Sequence, residues 1–256
     1  MKISRIHARI AILFLFGFSS GAAVFDFPGI NRDIPDADDS GVVDTRTIST
    51  STAPIDEIRV TLNISGTGSG GFNGDLYATL QYLTGFSVLL NRLGSRAANS
   101  SGYSDNGLNV TLDDGASNGD IHVYRFRLSG NHDTPLGGPL TGTWAPDARN
   151  ADPSVVVDAS SRTEFLSSFS GLNPNGDWTL FVADLESGGT SRLNSWSLDI
   201  ASVPESRQYA MLAAMSLLAF AIWRRRGISV GGFSARRRFP ASASSIHDSA
   251  PDLHGR

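Results

Sequence analysis

The chain has 256 residues, no cysteine and a formal charge of −4 at pH 7. Without cysteine there are no disulfides, no thiol catalysis and no thiolate metal sites, so the fold must hold by packing alone. Arginines gather towards the two ends and aspartates in the middle, and an acidic middle region argues against nucleic acid as its partner.

The N-terminus reads as an export signal. Lys2, Arg5 and Arg9 form a basic start, Ile10 to Phe18 is a short apolar run, and Ser19 to Ala23 supplies small residues for cleavage. Cleavage by signal peptidase is expected after Ala23, with Ala22 as the alternative, which makes residues 1–23 a signal peptide. Residues 24–54 then read as an acidic, Ser/Thr-rich lead-in, with Asp44 to Pro54 as a plain linker. Within it, Asp36, Asp38 and Asp39 stand near Gly41 and offer hard oxygen ligands of the kind calcium takes; the other reading is a solvated, turn-forming loop. Asp113 and Asp114, before Gly115, carry the same two readings. Calcium is the one cofactor the sequence suggests.

About 180 residues lie between the terminal signals, enough for one domain with a sizeable core. Ile58, Val60, Leu62 and Ile64 alternate with Arg59, Thr61 and Asn63, the pattern of a half-buried strand. Asp75 to Leu83, Phe86 to Leu90, Leu108 to Leu112, Ile121 to Leu128, Asp177 to Asp184 and Leu193 to Ile200 read as further strands, separated by Asn-Gly, Asp-Gly and Gly-Gly turns. No segment of the domain shows helical periodicity. The expected fold is therefore all-β, a jelly-roll β-sandwich over 34–202, with Trp178 and Trp196 in phase with the core residues of their strands.

Particular motifs recur in order along this region. Ile34-Pro35-Asp36 is followed by Gly74-Asp75-Leu76, then by Gly176-Asp177-Trp178-Thr179-Leu180-Phe181-Val182-Ala183-Asp184, and finally by Leu193-Asn194-Ser195-Trp196-Ser197-Leu198. The combination resembles the P domain (P/Homo B) of proprotein convertases. The resemblance implies a jelly roll in which Gly74, Asp75, Trp178, Asp184 and Trp196 are structural, and which in convertases packs against a subtilisin-like catalytic domain. No such catalytic domain is visible here. His122 and His132 are the two histidines of the expected domain, and neither is accompanied by a Gly-x-Ser-x-Gly elbow, so no catalytic residue is expected.

After Ile200 come Val203-Pro204-Glu205-Ser206, an apolar run from Tyr209 to Trp223, and Arg224-Arg225-Arg226. The run is about 15 residues, about 22 Å as a helix, short of the ~20 that span a bilayer comfortably. The arginines would hold its far end in the cytoplasm. This order resembles a PEP-CTERM sorting signal, with Val203, Pro204 and Glu205 at the processing point. It implies residues 203–226 as a sorting segment with a short transmembrane helix at 209–223 in the inner membrane, cut by an exosortase. Residues 227–256 read as a disordered basic cytoplasmic tail. The function expected is that of an exported, non-catalytic binding or structural module of the cell envelope or extracellular matrix, with polysaccharide or a partner protein as ligand. The alternatives are an accessory domain for a subtilisin-type protease and a secreted hydrolase.

Overall fold

The structure is a computed structural model that describes residues 22–50, 53–68, 70–202 and 206–226. The chain divides into two compact units between Glu205 and Ser206. In the first, the described residues form two β-sheets around one hydrophobic cluster. One sheet has six strands: β1 (Ala22–Phe27), β2 (Arg32–Ile34), β4 (Ile55–Thr67), β7 (Leu108–Leu112), β8 (Leu140–Trp144) and β10 (Thr190–Ser202). Its order is β1-β10-β4-β7-β8, with β2 also paired to β10. The other sheet has four strands in the order β3-β9-β5-β6: β3 (Asp38–Ile48), β9 (Gly176–Asp184), β5 (Leu76–Tyr82) and β6 (Gly85–Asn91). All pairings within these sheets are antiparallel except β7 with β8.

The alternation along β4 and β9 has the expected result: Ile58, Val60, Leu62 and Ile64 face inwards, as do Trp178, Leu180 and Val182. In β10 the period fails, since Leu193 and Trp196 are three apart and both are buried. A bulge absorbs the extra residue: opposite β4 the ladder passes from Leu193–Ile64 to Ser195–Asn63, leaving Asn194 out of register. Asn194 then uses its side chain on Asn63 and Ser65 and its carbonyl on the amide of Ile30. Trp178 stacks on Tyr82 with ring centroids 4.2 Å apart and donates its indole N–H to the Pro174 carbonyl. The Trp196 indole N–H donates to Asp44. Both rings thus sit in the core with their single polar group satisfied, as buried tryptophans require.

Three expectations are corrected. The region read as a lead-in supplies strands β1, β2 and β3; Asp44 to Ile48, read as linker, pairs with Leu180 to Gly176 of β9. The run Ile121 to Leu128 is not a strand but a short 3-10 turn, Ile121–Val123, leading into helix α1, Tyr124–Ser129. The Asp120 carboxylate caps that turn through the His122 amide, and Gly130, with φ of 72°, ends the helix in the left-handed conformation. Finally, helix α2 (Ser206–Arg226) forms, but no helix among the described residues is long and apolar enough to cross a membrane. Ser206, Arg207 and Gln208 occupy its first turn and three arginines its last, so the apolar part is left too short for the transmembrane role expected of 209–223. Residues 1–21, Val203, Pro204, Glu205 and 227–256 lie outside the described residues, and with them most of the expected signal peptide, the processing point and the tail.

The packing of Trp178 between Tyr82 and Phe169 sets an expected cost. Trp178→Ala should destabilise the domain by about 3–5 kcal/mol, and Trp178→Phe by clearly less, in urea unfolding followed by circular dichroism.

Candidate functional site

Most buried charged residues stand in the loops and turns between strands, and their partners decide what chemistry each can do. His122 is fully buried, and both ring nitrogens are engaged: Nδ1–H donates to Asp147 Oδ2 at 2.7 Å and Nε2–H to the Ser95 carbonyl at 2.8 Å. Both partners are acceptors, so the ring carries both protons. Burial opposes that charge, but the Asp147 carboxylate outweighs it and raises the pKa above its ordinary value. Arg149 completes the group by bridging Asp120 at 2.7 Å and Asp147 at 3.1 Å. Asp147 and Asp120 thus face Arg149 and the charged histidine, with Arg162 at the edge, 3.9 Å from Asp120. A base must have a free nitrogen near a substrate. Neither nitrogen of His122 is free, and the ring ties the turn before α1 to the Ser95 and Asp147 loops.

His132 lies in the loop after α1, where Nδ1 meets the Tyr103 hydroxyl at 2.7 Å and the ring stacks on Phe126. Tyr103 also lies under the Arg125 guanidinium, which holds Asp105 in a two-pronged pair. Burial would raise the Asp105 pKa, but hydrogen bonds from Arg125, Tyr124 and the Leu136 amide bring it below the ordinary value. These groups brace the Asn91 to Asn106 loop against α1.

The acidic residues read as calcium ligands do not assemble as one set. Asp113 accepts from Arg59 at 2.7 Å and from the Gly115 amide, and Asp114 accepts from the amides of Leu166 and Ser167, so both serve as ties between segments. Asp38 opens β3 and accepts from the Ser40 amide, Asp39 is exposed, and Asp36 stands in the exposed turn before β3, with the Gly188 amide at 3.4 Å. Among the described residues, no group of three or more histidine, cysteine, aspartate or glutamate side chains is placed to hold a metal ion by itself.

Asp75 and Asp184, read as structural residues, are the exceptional pair. Gly74 places Asp75: a Cβ at Gly74 would lie 2.4 Å from the Ser101 carbonyl oxygen and 2.7 Å from the Tyr103 nitrogen, so only glycine lets the two backbones meet. Asp75 then leads into β5, and Asp184 closes β9 opposite Leu76. Asp184 is wholly buried, and neither of its carboxylate oxygens completes a hydrogen bond. Burial, followed by the charges of Asp75 and Asp36, pushes its pKa up to about 7, against weaker pulls from the Glu186 amide and Arg92. Burial also raises Asp75, to about 6, against the opposing charge of Arg92. Asp75, but not Asp184, lines a cavity of about 250 Å³ together with Phe72, Ser101, Tyr103, Ser104 and Glu186 among others. Sequence reasoning missed Asp120, Asp147 and Arg149 altogether, because their partners lie far along the chain, 29 residues in the case of Arg149 and Asp120.

No family model and no curated protein matches the chain. Among solved structures, it is similar to the serine protease of Aeromonas sobria, with 15% identity and a TM-score of 0.35, over 72% of this chain and 26% of that one. The complex of that protease with its chaperone gives 15% identity and a TM-score of 0.36, over 72% of this chain and 27% of the other. The chain spans about a quarter of the length of these matches.

The His122 cluster makes stability pH-dependent in a stated direction. The folded pKa is raised above 6.5, so its stabilisation is complete below about pH 6.5 and is lost as pH rises through the folded value. His122→Gln should cost about 3–5 kcal/mol at pH 6 by leaving Asp147 and Arg149 unbalanced. The difference between wild type and variant should shrink towards pH 9 in parallel urea titrations.

Proposed function

We propose that this chain is an exported, non-catalytic P-domain-like jelly-roll module that acts by binding or by structure in the cell envelope or extracellular matrix. The observation that carries the reading is the engagement of both His122 nitrogens by acceptors in a buried cluster of charged groups, which leaves no base for a hydrolase at that position. His132 is spent on Tyr103 and Phe126. The residues that carry the P-domain resemblance serve architecture: Gly74 a close backbone approach, Trp178 and Trp196 the core.

Export rests on the N-terminal signal, and routing on Val203-Pro204-Glu205 as a processing address of the PEP-CTERM kind. The boundary between the two compact units, after Glu205, supports a cut at that place, because separation there would leave all ten strands of the sheets intact. Pro204 fixes its own backbone and biases Val203 away from helix, which suits an extended protease substrate. The exosortase that would act there, the signal peptidase at Ala22 or Ala23, and a polysaccharide or protein ligand are the partners this reading requires.

Intact mass of the protein recovered from envelope and medium tests it. The expected mature species begins near Val24, ends between Val203 and Ser206, and is lost in the Pro204→Ala, Glu205→Ala double variant. A product that keeps the α2 segment in both cases overturns the routing. Stoichiometric co-purification of a subtilisin-type protease would replace the matrix reading with that of an accessory domain.

A further inference from the structure

We infer that the end of the four-stranded sheet at Asp75 and Asp184 is a binding site for a hard divalent cation of the calcium class, closed by Asp36. The argument starts from sheet order. Strand β9 lies between β3 and β5, so the last residue of β9, Asp184, faces Asp38 at the start of β3 on one side and Leu76, next to Asp75, on the other. A register shift between Asp38 and Val42 leaves the start of β3 out of step with the ladder, and the turn carrying Asp36 precedes it. Three carboxylates from three neighbouring strand ends are thereby brought to one corner, and the charges of Asp75 and Asp36 both act on Asp184.

What distinguishes this corner from an ordinary acidic surface is Asp184 itself. It is 0% exposed, and both oxygens are buried without a completed hydrogen bond. Other buried carboxylates of the loops have donors: Asp147 has His122 and Arg149, Asp120 has Arg149, and Asp105 has Arg125. Arg92 stands close enough to act on both Asp75 and Asp184, yet its guanidinium donates to Glu186 at 2.6 Å and to the Ser100 carbonyl. Among the described residues, the charges that act on the pair are then Arg92 against Asp36, Asp75, Asp184 and Glu186. A buried, unpaired carboxylate is costly unless it is neutralised by a proton or by an ion.

The donor chemistry favours an ion of the calcium class. The corner offers carboxylate, hydroxyl and main-chain oxygens, with no thiolate or imidazole, and calcium accepts six to eight oxygen ligands in flexible geometry. Side chains alone do not chelate, since no three acidic groups among the described residues are placed to hold an ion unaided. The remaining ligands must come from main-chain and serine oxygens lining the adjoining cavity and from movement of Asp36, whose turn is exposed. Asp36, Asp75 and Asp184 then act together, binding a cation that locks the start of β3 and the end of β9 to β5.

Calcium chloride titrated into the full chain at pH 8 after chelator treatment tests this by calorimetry and by thermal unfolding. The expected result is saturable uptake of one ion per chain and, at about a hundredfold excess over Kd, a rise in Tm of about 5–10 °C. Asp184→Asn and Asp75→Asn should each abolish uptake, while Asp39→Asn, on the exposed loop, should retain it. Absence of saturable uptake by the wild-type chain overturns the proposal without recourse to any variant. Uptake that survives Asp184→Asn, or that is lost equally in Asp39→Asn, overturns it by placing the ion elsewhere. A chelated wild type that ignores calcium, beside an Asp184→Asn variant that is more stable at pH 8, assigns the pair to proton sharing instead.

Discussion

The passage of the chain from β9 to β10 is the constraint on which the rest of the structure depends. Strand β9 is interior to the four-stranded sheet and β10 is interior to the six-stranded one, and only residues 185–189 separate them. The two sheets are therefore joined at their middles by one short connection. This fixes the distance across which Trp178 and Trp196 bury their rings, and it determines which strand ends meet at the corner. Sheet order, rather than any local motif, puts Asp184 between the start of β3 and the start of β5.

A cysteine-free domain with long loops must restrain them by other means, and here buried charge does so. His122, Asp147, Arg149 and Asp120 connect the turn before α1 to the segment after β8, while Asp105, Arg125 and Tyr124 clamp a second loop to α1. Such clusters add little net stability compared with apolar packing, but removal of one member leaves a buried charge without a partner. The Asp75 and Asp184 corner departs from this rule by having more negative charge than the neighbouring side chains supply positive charge to meet.

Much of the fold was legible before any coordinates. The seven segments read as strands include six that are strands, because alternation along Ile58 to Ile64 or Asp177 to Asp184 has one physical reading when one face is buried. The exception, Ile121 to Leu128, alternates just as well, yet it is flanked by Asp120 and Gly130, and those capping residues outweigh period in so short a segment. Strands β1, β2, β3 and β8 escaped notice because their pattern is weak: Asp38 to Ile48 is polar on most positions, and Leu140 to Trp144 has only its two ends buried. They exist because β9, β10 and β7 present unpaired edges that neighbouring chain can complete.

By itself the sequence determined the all-β character of the domain and the inward placement of both tryptophans, since each follows from residue type and short spacing. Only the tertiary structure decided what the charged residues do. His122 became a locked cation, and Asp113 and Asp114 became ties between loops. Asp184 became a buried carboxylate with no completed hydrogen bond. Their partners lie tens of residues away in the chain, and no local pattern encodes a meeting that depends on which strands are neighbours.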